Sequence, residues 1–476
     1  LSEAASRAPG TTTARHSLRD SARRLLPLAW PVFIGQVSVL AFATVDTVLV
    51  ARYAATDLAA LAVGAAAYIT VFIGFMGVIL AISPIVGQLH GAGRDEEAGA
   101  QVHQALWVAF ALAAVGSTLL LFPAPFLALA RAGPEVAEKV RGYLTALAFS
   151  LPASLMFTVY RGFNTAVSRP KAVMLLQVSG LALKIPLSTA LVFGVSALGL
   201  PALGVLGCGI ATAIAMWAQA IAGYAVLRHD PFYRRFALFG RGLDRPQAVA
   251  LRALLKLGLP MGATILVEVT GFSFMALFIS RLGTTPVAGH QLAANLVTLM
   301  FMLPLGLASA TSTLVAQRIG AGDLHDARRL GWHGMQIGLL VAALLGAAVF
   351  VLREAILRLY THDAAVIAAA LPLVAWVALF HVADAAQTIA AFVLRAYKIA
   401  TLPLVVYVLA LWGVGLAGGH GLAFHAPAWA PAALRGAPGF WFAATMGLVV
   451  AALLMTALLA WVLRQQRTGA AGSAAA

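Results

Sequence analysis

The chain reads as long apolar stretches separated by short polar connections, a pattern that runs from residue 25 almost to the end. Nearly all hold more than about 20 residues, enough to cross a hydrocarbon core of ~30 Å as an α-helix. Twelve are placed at 25–51, 58–86, 98–122, 138–160, 172–196, 205–227, 250–280, 287–316, 328–352, 366–392, 402–417 and 439–463. None shows the short alternating segments of a membrane barrel. Their wealth of Ala, Leu, Gly and Val suits helices that pack through small residues in lipid. The expected fold is all-α integral membrane, with twelve transmembrane helices. The first stretch exceeds a signal-peptide core, and no convincing small-residue cleavage site follows it, so it counts as a span.

The pattern also repeats on a larger scale. A shift of 229 residues aligns Pro31 with Pro260, Arg52 with Arg281, Thr56 with Thr285 and Ala59 with Ala288. It also aligns Gly77 with Gly306, Ser83 with Ser312, Gln88 with Gln317, and Gly91-Ala92-Gly93 with Gly320-Ala321-Gly322. Ala and Gly recur by chance in such a composition; Pro, Arg, Gln and a triplet at one offset do not. Two six-helix bundles follow, in the same orientation and related by a pseudo-twofold along the membrane normal, which is an alternating-access architecture. The boundaries read as a tail over 1–24, a first lobe over 25–228, a basic linker over 229–249, a second lobe over 250–464 and a tail over 465–476.

Composition narrows the class. Only 10% of residues are charged against 61% hydrophobic, whereas soluble domains carry ~25% charged residues. A net charge of +15 raises the question of nucleic acid, but the basic residues hug the ends of the spans. The tails and even-numbered connections hold 23 Lys and Arg, from Arg7, Arg15, Arg19, Arg23 and Arg24 onward, with the stretch Arg228–Lys256 the richest. The odd-numbered connections hold eight: Arg52, Arg131, Lys139, Arg141, Arg281, Arg353, Arg358 and Arg435. By the positive-inside bias both termini lie in the cytoplasm. Cys208 is the single cysteine; it reads as a small packing residue.

Three acids interrupt the apolar runs: Asp46, Glu268 and Asp384. A charged side chain at membrane depth costs about 2.5–3.5 kcal/mol on insertion scales, so each is a functional candidate. The repeat pairs Asp46 with Met275 and Glu268 with Val39; acids needed only to fold each lobe would recur in both. His381 and Thr388 stand three residues before and four after Asp384, on one helix face. His381 either joins a paired-acid site formed by Glu268 and Asp384 or hydrogen-bonds Asp384 to neutralise it. Span 8 opens with His290 and Gln291 and continues to Asn295. Gln291 and Asn295 share a face expected to point inward, as hydrogen-bonding glue or as ion or substrate contacts. Lys184 lies in span 5, two residues before Pro186, and the nearest end is about ten residues away, far for one side chain to snorkel. It is expected to pair with Asp46, and to be the lone basic residue at depth. His420 and His425 read as loop residues.

Several of these segments resemble one family. Pro31-Val-Phe-Ile-Gly-Gln36, Phe42-Ala-Thr-Val-Asp46, Gln88-Leu-His-Gly-Ala-Gly93, Gly204-Val-Leu-Gly-Cys-Gly-Ile-Ala-Thr212, Ala288-Gly-His-Gln291, and Asp384 followed by Leu394-Arg-Ala-Tyr-Lys398 look like the NorM-like branch of the multidrug and toxic compound extrusion (MATE) family. The resemblance covers spans 1 to 11. It implies two lobes forming a V and export of organic cations driven by inward Na⁺ or H⁺. It implies Glu268 and Asp384 as the cation-site acids of the second lobe, with Na⁺ held there if Na⁺ is the ion, and Asp46 as the functional acid of the first. Three positions depart from the branch: Lys184 and Ser188 stand where Asn is usual, and Phe380 where Tyr is common.

The function expected is antiport of hydrophobic organic cations and drugs, with ion and substrate neutralising the same carboxylates in turn. A bare carboxylate crossing the membrane is penalised; a protonated, Na⁺-paired or drug-paired one is not. No other cofactor and no nucleic acid are expected, and the protein is placed as a monomer among the lipids of a bacterial inner membrane. The alternative is a lipid or saccharide flippase of related fold, which would carry a basic cavity. An intramembrane enzyme built on His381 and Asp384 would need a nucleophile or metal motif absent at depth.

Overall fold

In a computed structural model of the chain, residues 17–130, 133–240, 242–425 and 431–473 are described. Arg7, Arg15, Arg131 and Arg241, counted above for topology, lie outside them. All twelve spans are helices, with no strand among the described residues. They are α1 (Leu18–Ala51), α2 (Ala55–Gly91, broken near Leu80), α3 (Asp95–Leu121), α4 (Pro134–Ala166), α5 (Pro170–Phe193) and α6 (Val205–His229). The second set is α7 (Ala248–Ser280), α8 (Thr284–Gly320), α9 (Leu324–Tyr360), α10 (Ala364–Ala396), α11 (Thr401–Phe424) and α12 (Ala437–Gln465).

Local chemistry explains the ends. Ser17 and Asp20 form a capping box at the start of α1, Asp323 and Asp363 cap α9 and α10, and Pro134 and Pro170 open α4 and α5, where a missing N–H costs nothing. Several helices overrun the apolar stretch that predicted them by one or two turns. α4 therefore carries Arg161 and α10 carries Arg395, both read from the sequence as loop charges. Helical hydrogen bonding continues where hydropathy stops.

Each set of six has a central helix. α4 packs against α2, α3 and α6, and its pseudo-equivalent α10 packs against α8, α9 and α12. The first helix of each set leans on the opposite lobe. Leu25 and Ala29 of α1 form a small core with Leu307, Ala310 and Ile337, while Leu254, Leu257 and Met261 of α7 enter the core of the first lobe. The close approach of α7 to α2 is backbone to backbone, with Gly77 against Gly262.

The lobes are joined most firmly at the end bearing the termini. Gln88 Nε2 of α2 donates to the Ala396 carbonyl at 2.8 Å, and its repeat-equivalent Gln317 of α8 donates to the Ala166 carbonyl at 2.7 Å and Ser168 Oγ at 2.9 Å. Gly91 packs on the backbone of Gln317, and Gly320 on the backbone of Gln88. A Cβ at either glycine would collide with main chain, so the GAG triplets seen in the sequence are a reciprocal close-packed seam. Arg24 adds an ion pair to Asp326 at 3.0 Å, and Ser21 a hydrogen bond with His333 Nδ1 at 2.7 Å.

Candidate functional site

In the first lobe, Asp46 of α1 meets Lys184 of α5. Lys184 Nζ donates to Asp46 Oδ2 at 2.8 Å and to Thr212 Oγ1 of α6 at 2.7 Å, and lies 4.7 Å from the centre of the Phe42 ring. Both charges are buried, Lys184 at 1% and Asp46 at 5% exposure, so neither has solvent to share it with. Cys208 and Ser188 stand beside the carboxylate. Here an acid at depth has an internal counter-charge.

The second lobe is arranged differently. Glu268 of α7 is half-buried and has neither a hydrogen bond nor an ion pair among the described residues. Asp384 of α10 is buried and accepts a hydrogen bond from Gln387 Nε2 at 2.9 Å, with no cation on it. Glu268 is near enough to Asp384, and also to the Arg395 guanidinium, for the charges to interact, but no cation forms an ion pair with either acid among the described residues. Gln387 Nε2 also donates to Thr388 Oγ1 at 3.1 Å, and the Tyr407 hydroxyl of α11 donates to Gln387 Oε1. α11 reaches the site through a π-helical segment, Val408–Ala417, from which Trp412 Nε1 donates to the Val267 carbonyl at 3.0 Å. Such segments often mark functional sites. Two acids, an amide and two hydroxyls thus gather on α7, α10 and α11. These oxygen donors suit a proton or a hard monovalent cation.

The other candidates divide. Thr388 joins the site. His381 is fully buried, with no hydrogen bond on either ring nitrogen, and does not hydrogen-bond Asp384; Gln387 does. His290 is buried against Trp441, whose Nε1 donates to its Nδ1 at 3.3 Å. Gln291 and Asn295 do not point into the lobe. Both are exposed, and Asn295 accepts from the Tyr360 hydroxyl at 3.0 Å. The inward stripe of this segment is Gly289, His290, Ala293, Leu296 and Val297, and the amides fall on its other side.

Three features went unread in the sequence. Gln387 and Tyr407 are polar but uncharged within apolar runs, so neither stands out. Asp57, read as a loop acid, is 2% exposed; it accepts from Lys139 and from the Val205 N–H at 2.9 Å, capping α6. Lys184 is also not the lone buried basic residue. Arg395 is 8% exposed and, with Arg161, lines a cavity between the lobes of about 100 Å³.

The fold and its internal repeat define a two-lobed, multi-pass membrane transporter. The MatE family model matches residues 31–190 and again 260–419, at the same offset of 229 as the sequence repeat. The chain is 42% identical over 443 residues to a probable multidrug resistance protein NorM of Aromatoleum aromaticum, covering 93% of this chain and 94% of that one. It is 35% identical over 450 residues to the multidrug resistance protein NorM of Aliivibrio fischeri, with 94% and 96% covered. In fold it is similar to the Vibrio cholerae MATE transporter VcmN in its bent form, with TM-score 0.82 and 19% identity over 95% of this chain and 99% of that chain. An outward-facing multidrug resistance MATE family transporter gives TM-score 0.83 at 18% identity, with 95% and 98% covered. The chain belongs to the MatE family.

Proposed function

We propose that the protein is an H⁺- or Na⁺-coupled antiporter of the multidrug-efflux type, exporting hydrophobic organic cations across a bacterial inner membrane with both termini in the cytoplasm. The names of its NorM relatives support the efflux reading. One observation carries the mechanism: Glu268 and Asp384 share a membrane-depth site without an ion-paired cation. The coupling ion would neutralise them in one facing state and a cationic substrate in the other. Na⁺, if it is the ion, would sit between these carboxylates with the oxygens of Gln387, Thr388 and Tyr407 available to it.

The seam of Gln88 and Gln317 supports a state closed at the cytoplasmic end. Release of the coupling ion toward that side requires these reciprocal bonds to part. The test is dye efflux from vesicles under an imposed Na⁺ or H⁺ gradient. Glu268→Gln and Asp384→Asn are each expected to abolish gradient-driven efflux while leaving membrane insertion intact. Wild-type efflux rates in both variants would refute the proposal.

A further inference from the structure

The cavity between the lobes contains two guanidinium groups and no acid. Arg161 enters it from α4 of the first lobe and Arg395 from α10 of the second. No carboxylate lines it and neither arginine has an ion pair among the described residues, although Glu268 is near enough to Arg395 for their charges to interact. Among the described residues, the Arg161 side chain makes one long hydrogen bond, to Gln36 Oε1 at 3.4 Å, and Arg395 lies over its own helix's Phe392 ring at 4.5 Å. Ser83, Thr165, Ser309 and Gln177 add hydrogen-bonding groups to the same wall. Lys184, by contrast, is paired with Asp46, and Arg24 and Arg329 share Asp326.

Buried cations without counter-charges are costly. A guanidinium presents a rigid fork that matches the two oxygens of a carboxylate or phosphate. A space of about 100 Å³ accommodates such a group and little more, so the match is to a head group, with any larger body lying outside. The geometry points to an oxyanion site: Arg161 and Arg395 together bind the carboxylate or phosphate group of a small molecule or a lipid head. Because each lobe supplies one arginine, the bound anion bridges α4 and α10 and reinforces the closed seam beside Ala166 and Ala396. Arg395 lies within electrostatic range of Glu268, so the site adjoins the acid pair, but it does not depend on which ion drives transport.

The test uses the full-length protein in uncharged detergent, with inorganic phosphate or acetate titrated against chloride at matched ionic strength. Thermal stability and calorimetry are the readouts. Saturable stabilisation by phosphate or acetate is expected for the wild type. Arg161→Gln or Arg395→Gln should weaken it at least tenfold, and the double variant should lose it. Arg161→Lys and Arg395→Lys, which keep the charge without the fork, should retain folding and bind at an intermediate level. A parallel measurement in nanodiscs compares phosphatidylglycerol with phosphatidylcholine by native mass spectrometry. Anionic lipid retained by the wild type and released by the double Gln variant assigns the site to a lipid head, and a response to soluble anions alone assigns it to a free solute. No saturable response to any oxyanion in the wild type, or one undiminished in the variants, overturns the proposal.

Discussion

The two lobes carry buried acids in opposite electrical settings. In the first, Asp46 and Lys184 satisfy each other at 2.8 Å inside a shell of α1, α5 and α6. In the second, Glu268 and Asp384 share a site with no paired cation, supported by Gln387 and Tyr407. The fold repeats and the chemistry does not. An acid with an internal counter-charge can cross between states unaided, whereas a carboxylate pair lacking one needs something from outside to neutralise it. That requirement is what makes the second lobe the seat of coupling in the proposed cycle and the first lobe its structural counterpart.

The largest expected effect breaks the paired side. Asp46→Asn leaves the Lys184 ammonium buried without its partner, and removing one member of a buried pair costs about 3–5 kcal/mol. A sharp fall in folded yield and thermal stability should follow. The double variant Asp46→Asn with Lys184→Gln removes both charges and should recover most of that loss, with gradient-driven efflux retained. Efflux absent from a stable double variant would give Asp46 a direct part in coupling and erase the contrast between the lobes. Glu268→Gln should behave in the opposite sense, stable but inactive, because it discharges a carboxylate that has no partner.

These contrasts were unevenly legible in the sequence. A carboxylate within an apolar run is anomalous in itself, so Asp46, Glu268 and Asp384 stood out, and Lys184 could be matched to Asp46 because a buried ammonium needs a partner. The repeat at 229 residues gave the two lobes, and its glycines and glutamines turned out to form the seam. Arg161 and Arg395 were hidden because hydropathy marks where lipid contact ends, not where the helix ends. Gln291 and Asn295 were assigned the wrong face, since two polar residues four apart fix a stripe but not its direction. Tyr407 carried no signal at all, as a tyrosine in an apolar helix is unremarkable until its hydroxyl finds Gln387.

A second set of variants sharpens the comparison through the seam, where both lobes contribute alike. Gly320→Ala should weaken closure more than loss of a hydrogen bond does, because its methyl group meets the main chain of Gln88. Gln88→Ala removes one part-buried side-chain bond to the opposite lobe and Gln317→Ala two, each a net contribution of about 1 kcal/mol. The Gln317 variant should therefore show the larger effect. Distances between spin labels on the inner ends of α2 and α8 should broaden toward longer values in all three variants. Unchanged distributions would mean that the hydrophobic contacts of Leu25 and Ala29 with Leu307 and Ala310 hold the end closed without the seam.

The smallest effect concerns how the unpaired acids are held. Tyr407→Phe removes the hydroxyl that donates to Gln387 and leaves the ring packed in place. Gln387 is then freer to turn away from Asp384, since one of its two anchoring contacts is gone. A single hydrogen bond is worth about 0.5–1.5 kcal/mol, so the coupling-ion concentration giving half-maximal efflux should rise by several-fold with the maximal rate little changed. An equal change in a variant of the first lobe such as Thr212→Val, which removes one contact of Lys184, would show that ion affinity is a property of both lobes. A change confined to Tyr407→Phe places it where the carboxylates lack an internal cation.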